Sequence, residues 1–286
     1  MRNALLIVPV AATLAVTSLS AQRWSHIEQQ PPIRRTLEFS AGNGMKMLEV
    51  DAIHGSIQVN GYDGRTVELV ANQTIRADSE DRLRAARDEV KLDISEKSDI
   101  ISIFVDEPGR QRFGTSTGRS SRNDPRYQVD FDFELRVPRD VKVRLKTING
   151  NIVVKSLGGD FNIEGLNGSV EMGDVSGSGR VYTLNGAVNI RFNGLPKANS
   201  YFGSLNGPID VTFPKNLSAD IRFKSFNGDV YTDFPIGAAP AAVITPEVRS
   251  GRFIFKDEFS VARIGSGGPT LEFDGFNGDV RIRQAK

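Results

Sequence analysis

The segment KTINGNIVVK, residues 146–155, decides the fold, because its central Asn-Gly pair returns along most of the chain. Asn-Gly between two β-branched runs is a strong signal for a hairpin, since both residues tolerate the positive φ of a type I′ turn. An isolated hairpin would need this pair once. The pair instead recurs in the same sequence context, which indicates a repeat architecture.

Six copies fit one template: a small residue, then Ile, Leu or Phe, then Asn-Gly, any residue, and Ile or Val. Their glycines lie 18, 18, 21, 21 and 50 residues apart, and the longest interval contains a degraded copy at Ser250–Phe253. A seventh copy, Ala52–Ile57, has His in the Asn position. The template predicts that the repeat turns are formed by His54, Gly55, Asn149, Gly150, Asn167, Gly168, Asn185, Gly186, Asn206, Gly207, Asn227, Gly228, Asn277 and Gly278.

Short strands with alternating apolar residues lie between the glycines, so one period holds two strands and two turns. A fixed period of 18–21 residues is typical of the stacked coils of a β-solenoid. In that fold the apolar residues on both sides of Asn-Gly point inward, which makes Ile148 and Ile152 predicted core residues, and the Asn side chains form a ladder. The alternative is an antiparallel β meander or sandwich, in which each Asn-Gly is a separate hairpin tip.

The N-terminus is predicted to direct export. Arg2 is followed by the uncharged apolar stretch 4–19 and by small residues up to Ala21, a pattern that predicts a signal peptide over 1–21, with an uncleaved anchor as the alternative. Residues 22–44 are interpreted as a linker and 45–286 as the β-strand-repeat domain. No transmembrane domain is expected after cleavage. The sequence contains no Cys, which excludes disulfides and a lipidated cysteine.

Two insertions interrupt the repeats. Residues 78–92 have an acidic start and apolar positions at helical spacing, which predicts an inserted helix. Residues 107–127, rich in Arg, Gly and Ser, predict a long mobile loop. Its basic residues are a candidate contact site for an anionic partner, although a solvated insertion is the simpler interpretation. These residues are Arg110, Arg112, Arg119, Arg122 and Arg126.

Several passages together resemble a known family. They are the signal peptide, the helical segment ending in DEVKLDIS, the passage FELRVPRDVKVRLKTINGNIVV and the glycine-turn repeats that follow it. Over residues 45–286 the chain resembles the bacterial putative-adhesin family of β-strand-repeat envelope proteins. The resemblance implies a right-handed β-solenoid and a location in the cell envelope, periplasmic or extracellular. It implies no established activity and no catalytic residues.

The residues themselves offer little for catalysis. The chain has two histidines, His26 and His54, and His54 takes the place that Asn fills in the other copies, so we expect a turn role for it. Asp130, Asp132 and Glu134 lie on one face of a predicted strand, a spacing that suits general acid–base chemistry. The solvent-facing side of any alternating strand produces the same row.

The expected function is therefore binding. A net charge of +1, from 36 basic and 35 acidic residues, predicts no general attraction to nucleic acid. We expect a non-enzymatic, exported β-solenoid that acts as an adhesin or as an envelope interaction or scaffold module. Its partner would be an unidentified envelope protein or glycan, with no cofactor and no metal. The alternative is a carbohydrate-active enzyme on a β-helix that uses Asp/Glu pairs. The sequence carries no signal for an oligomeric state.

Overall fold

The computed structural model describes residues 24–40, 44–108, 110, 126–237, 247–249, 252–254 and 259–286. The predicted signal peptide and most of the 107–127 loop lie outside these ranges. The described chain forms 24 β-strands and one helix, α1 (Glu80–Glu89), which confirms the prediction of an all-β protein with an inserted helix. In the part of the chain that is described, no helix is long and apolar enough to span a membrane.

Most strands belong to two large sheets of eleven strands each. Sheet I has the spatial order β1 (His26–Gln29), β5 (Thr66–Ala77), β8 (Tyr127–Pro138), β4 (Ile57–Tyr62), β10 (Ile152–Lys155), β12 (Val170–Val175), β14 (Val188–Phe192), β16 (Ile209–Phe213), β24 (Val280–Gln284) and β18 (Val230–Thr232), with β2 (Ile33–Glu38) also paired to β5. Sheet II has the order β19 (Ile236–Gly237), β22 (Ser260–Ile264), β17 (Ala219–Asn227), β23 (Thr270–Asn277), β15 (Ser200–Asn206), β13 (Gly179–Asn185), β11 (Phe161–Asn167), β9 (Lys142–Asn149), β3 (Met47–Asp51), β7 (Ile100–Asp106) and β6 (Lys91–Lys97).

Each copy of the template, called a repeat below, gives one strand to each sheet. The strand before Asn-Gly lies in sheet II, and the strand after it lies in sheet I. Equivalent residues of neighbouring repeats pair in parallel, as Ile152 does with Val170 and Asn149 with Asn167. The corners therefore do not form the antiparallel hairpins of a meander. Two facing sheets of mixed strand direction remain compatible with the sandwich alternative.

The core lies between the two sheets. Alternate residues of each repeat strand point inward, and Ile152, the predicted core residue after the first Asn-Gly, is fully buried. Aromatic rings join the sheets: Phe192 of sheet I contacts Phe161 and Phe202 of sheet II, with ring centroids 6.4 and 6.0 Å apart. Burial of these side chains is the main stabilising term, because a single two-strand repeat cannot bury its apolar side chains without neighbouring repeats.

One end of the stack is capped by antiparallel strands and the helix. Strand β5 pairs antiparallel with β8, β6 pairs antiparallel with β7, and α1 connects β5 to β6. The side chain of Ser79 caps the helix by accepting a hydrogen bond from the Arg82 N–H, and Leu83 and Ala86 are buried. The linker prediction for 22–44 is wrong in part, because β1 and β2 lie there and pair with β5.

At the other end the repeats do not follow sequence order. The last repeat, β23–β24, lies between β15–β16 and β17–β18, so the chain fills this slot after passing it. The intervening residues include β19 and β22, which pair antiparallel with each other, and β22 also pairs with β17. Of the segment interpreted as a degraded copy, Ser250 and Gly251 lie outside the described residues. Arg252 and Phe253 belong to β21 (Arg252–Ile254), which among the described strands pairs with β20 (Glu247–Arg249) and with neither large sheet.

Candidate functional site

The Asn side chains of the repeat corners form a continuous ladder. Each amide Nδ2 donates to Oδ1 of the neighbouring repeat, over 2.6–2.8 Å, and Asn149 Nδ2 lies 3.0 Å from His54 Nδ1 at the first corner. In space the ladder runs through His54, Asn149, Asn167, Asn185, Asn206, Asn277 and Asn227. The ladder explains why Asn recurs, since its amide donates to one neighbour and accepts from the other.

The corner glycines are required by close approach of the repeats. A Cβ at Gly150 would lie 1.9 Å from the Gly55 carbonyl oxygen, and one at Gly168 would lie 2.0 Å from that of Gly150. The corners are not type I′ turns, because no corner Asn has a positive φ; among the corner glycines, Gly150 and Gly168 have one and Gly186 does not. A Cβ at Gly186 would still lie 2.2 Å from the Gly168 carbonyl oxygen. The repeats of this chain therefore share a short stacking distance at their corners and not a hairpin turn.

The small residue of the template lies beneath each corner, inside the core. Thr183 Oγ1 donates to the Gly168 carbonyl oxygen over 2.7 Å, and Ser204 Oγ donates to that of Gly186 over 2.8 Å. The hydroxyl therefore gives the partly buried corner carbonyl a hydrogen-bond partner, which polar groups removed from water need. The sequence pattern required a small residue here, but the hydrogen bond depends on the neighbouring repeat and has no signal in the sequence.

His54 lies at the corner where the ladder begins. Asn149 Oδ1 accepts from Asn167, which leaves Asn149 Nδ2 to donate to His54 Nδ1, so this ring nitrogen is unprotonated. Burial lowers the pKa of His54, and the charge of Arg76 lowers it further. A neutral ring that accepts a hydrogen bond is a structural component of the corner and is poorly placed to act as a general base.

The apolar residue before each Asn points outward, contrary to the sequence prediction. Thr147 is 1% exposed and Ile148 is partly exposed, because inward and outward residues alternate along β9. Ile148 is therefore not a core residue. The equivalent side chains form a row on the outer surface of sheet II, called the apolar strip below. Its residues are Ile53, Ile148, Leu166, Leu184, Leu205, Phe276 and Phe226.

Exposure along the apolar strip is greatest towards the end formed by the last repeats. Phe276 is 41% and Phe226 is 74% exposed, and their rings stack with centroids 4.9 Å apart and planes 5° apart. A groove of about 730 Å³ lies beside them on sheet II. It is lined by Tyr182, Leu205, Lys224, Phe226, Asp274 and Phe276. The apolar strip has one outward-facing apolar side chain in every repeat and does not contribute to the core. Exposed apolar rows of this kind are typical of interaction surfaces.

Polar side chains surround the groove in a fixed arrangement. Tyr201 donates its hydroxyl to Asp274 Oδ2 over 2.9 Å, and Lys224 Nζ lies 3.3 Å from Asp274 Oδ1. The Arg180 guanidinium lies 3.9 Å from the Tyr201 ring centroid. Burial raises the pKa of Tyr201, and its hydrogen bond to Asp274 raises it further, so the hydroxyl stays protonated and donates. The groove thus combines aromatic surfaces with oriented polar groups.

The candidate contact loop is only partly within the described residues. Arg112, Arg119 and Arg122 lie outside them. Arg110 binds the protein itself: its guanidinium pairs with the buried Asp51 and donates to the Val105 carbonyl oxygen over 2.6 Å. Arg126 Nη1 lies 3.6 Å from Asp78 Oδ2. These two arginines anchor the ends of a connection from β7 to β8, which replaces the Asn-Gly corner in that layer.

The row of carboxylates on β8 is engaged in structural contacts. Asp130 pairs with Arg76, and Asp132 Oδ1 accepts from the backbone N–H and the hydroxyl of Ser56 over 2.8 and 2.7 Å. Glu134 is exposed on the same strand. Among the described residues, no group of three or more His, Asp and Glu side chains is arranged to hold a metal ion.

No protein-family model matches the chain, and no curated protein matches it. Among solved structures it is similar to a protein described as a putative cell adhesion protein from Clostridium sporogenes ATCC 15579, with 11% identity, 89% of this chain and 100% of that chain covered, and a TM-score of 0.37. It is also similar to a putative adhesin from Bacteroides fragilis NCTC 9343, with 10% identity, coverage of 90% and 98%, and a TM-score of 0.40.

A third similar structure is a putative lipid binding protein from Parabacteroides distasonis ATCC 8503, with 12% identity, coverage of 89% and 97%, and a TM-score of 0.29. Two of these three proteins bear the adhesin description that the sequence resemblance led us to expect. Because the identities and TM-scores are low, no activity is inferred from these structures. The function proposed below depends on the geometry of this chain.

Proposed function

We propose that the chain is an exported, non-enzymatic β-solenoid that binds another component of the cell envelope through the apolar strip on sheet II. The observation that carries this proposal is the outward direction of an apolar side chain at every corner. A soluble surface has no structural need for such a row, whereas an interface does. The two-sheet stack of parallel repeats supports the solenoid interpretation.

The groove at Leu205 and Phe276 is the proposed centre of binding. Binding energy at interfaces is concentrated in a few large aromatic and Arg side chains that become desolvated. Leu205 and Phe276 would supply the apolar contact, and Tyr182, Lys224 and Asp274 would orient polar groups of the partner. Such an arrangement suits an envelope protein or a glycan, and binding requires no cofactor.

A double substitution, Leu205→Ser with Phe276→Ser, tests the proposal. Both side chains point away from the core, so we expect the melting temperature to stay close to that of the wild type. Capture of an envelope component, from extracts and from a glycan array, should be lost. The matched control is Ile27→Ser, which removes an exposed apolar residue on β1 of sheet I and should leave capture unchanged. Undiminished capture by the double variant would contradict the proposal.

A further inference from the structure

The repeat at the open end of the stack, β17–β18, has two hydrogen-bond donors with no acceptor among the described residues. At every other Asn-Gly or His-Gly corner, the glycine N–H donates to the Asn carbonyl oxygen of the next repeat over 2.9–3.0 Å. The N–H of the Ile or Val two residues later also donates to the next repeat over 2.9–3.0 Å. Gly228 and Val230 hold these two donor positions in the terminal repeat. In the described structure no strand follows β18 in sheet I.

Three further features lie at the outer edge of the terminal repeat, β17–β18. Asn227 Nδ2 donates to Asn277, and Asn227 Oδ1 receives no hydrogen bond from any described residue. Phe226 stacks one ring face on Phe276 and is 74% exposed. Strand β22 pairs with β17 only as far as Phe223, and no described strand pairs with the outer edge of residues 225–232. The backbone donors, the amide acceptor and the aromatic ring therefore form one continuous edge.

We propose that this edge is a docking site for an extended polypeptide segment of a partner protein, which pairs in parallel with β18 as one more repeat. The segment's carbonyl oxygens accept from Gly228 and Val230, a side-chain amide donates to Asn227 Oδ1, and an apolar side chain covers Phe226. Donors two residues apart along a strand are about 6.6 Å apart, which matches alternate carbonyls of a second strand. The six existing repeat interfaces use the same set of bonds.

A polypeptide fits this edge better than other ligands. Unpaired strand edges are templates for strand addition, whereas a glycan or an acyl chain does not present carbonyl oxygens at strand spacing. A second copy would not continue the Asn ladder head to tail, because the opposite end of the stack has the antiparallel strands β5 and β6 and helix α1 in place of an Asn-Gly repeat. The proposed edge shares Phe226 with the groove, but its backbone donors, Gly228 and Val230, do not line the groove, so the Val230→Pro variant tests the edge separately.

The test is binding of a labelled peptide to the full chain, measured by fluorescence anisotropy. The peptide TLEFDGFNGDVRIRQ, residues 270–284, is suitable because this sequence already pairs in parallel with β15 and β16 as their next repeat. We expect saturable one-to-one binding. Val230→Pro removes the outward N–H without removing a bond inside the stack and should weaken binding roughly tenfold or more. Phe226→Lys, a change at an exposed side chain, provides a second variant.

The test has two controls, and three outcomes would contradict the proposal. Ile27→Lys should bind like the wild type, and a peptide with Asn277→Ala and Gly278→Val should not bind. Absence of saturable binding would overturn the proposal. If the Val230→Pro and Phe226→Lys variants bound the peptide as tightly as the wild type, the proposal would also be overturned, since the peptide would then have displaced the chain's own last repeat. A dimer that forms without peptide and that Val230→Pro dissociates would assign the edge to a second copy instead.

Discussion

At the scale of single residues, each position of the corner template has its own physical reason. Asn provides an amide that donates to one neighbour and accepts from the other, and Gly leaves out the Cβ that would lie about 2 Å from a carbonyl oxygen of the neighbouring repeat. The small residue hydrogen-bonds a partly buried corner carbonyl, as Thr183 does. The apolar residue between them, such as Ile148, faces solvent. Only the last of these is free of a structural role in the stack.

The glycine requirement predicts a specific loss of stability. Gly150→Ala should lower the free energy of unfolding by at least about 2 kcal/mol, because its Cβ would meet the Gly55 carbonyl oxygen. Gly173→Ala is the matched control, since a Cβ there would meet only the Lys155 side chain at 4.0 Å. Urea unfolding of both variants measures the difference. Equal stability of the two variants would show that close approach does not decide the corner.

His54 predicts a pH dependence of stability. Burial lowers its pKa in the folded state below the ordinary value of about 6.5, so the unfolded state binds the proton more readily. The contribution of the neutral ring is complete above the unfolded pKa. It is lost as pH falls from that value towards the lower folded pKa. In urea unfolding at pH 7.5 and 5.0, the wild type should lose more stability than His54→Asn, which places the usual residue in the ladder.

At the scale of secondary-structure elements, the repeats are interdependent. A two-strand repeat buries its inward residues only against its neighbours, and the last repeat supplies neighbours on two sides. Leu271 and Phe273 of β23 are fully buried between β15 and β17. The end of the chain is therefore in the interior of the stack, although sequence order alone would place it at the edge.

Removal of the last repeat should consequently disrupt the stack. A chain that ends at Gly267 leaves β17–β18 without its partner and uncovers Phe202, so we expect loss of cooperative thermal unfolding. Circular dichroism on heating measures this. The control is a chain that begins at Pro31 and lacks only the edge strand β1. A Gly267-terminated chain that melts as cooperatively as the control would contradict the interior placement of the last repeat.

At the scale of the whole molecule, two sets of aromatic side chains have different surroundings. Phe192 contacts Phe161, Phe202 and Phe213 in the core, with its ring 4.9 Å from that of Phe213. Phe226 lies at the exposed end of the apolar strip. The first set holds the two sheets together, and the second is available to a partner.

These surroundings predict that substitution by Ala has a large effect on stability in the core and a small effect on the apolar strip. Phe192→Ala should lower the free energy of unfolding by about 3–5 kcal/mol, because it leaves a cavity between the sheets. Phe226→Ala should change it by less than about 0.5 kcal/mol. Urea unfolding with both variants provides the measurement. A large loss of stability in Phe226→Ala would show that the apolar strip serves the fold instead of binding.

Local sequence patterns are sufficient to define the class of structure. Strand alternation, the spacing of Asn-Gly and the acidic start before Glu80 are local patterns, so they predicted an all-β repeat protein with one inserted helix. The alternation along β9, in which Val143, Leu145 and Thr147 face inward, also predicts that Ile148 faces outward. Its apolar character favours the core instead, so the two sequence signals disagree at this position.

The partner of each strand depends on contacts between segments that are distant in sequence. The placement of the last repeat between β15–β16 and β17–β18, the pairing of residues 26–38 with β5, and the binding of Arg110 to Asp51 all join residues distant in sequence. Parallel pairing of near-identical repeats is almost equally favourable in any order, because each corner offers the same hydrogen bonds. The order of the stack is therefore set by how the non-repeating segments cap its ends, and local sequence patterns do not encode it.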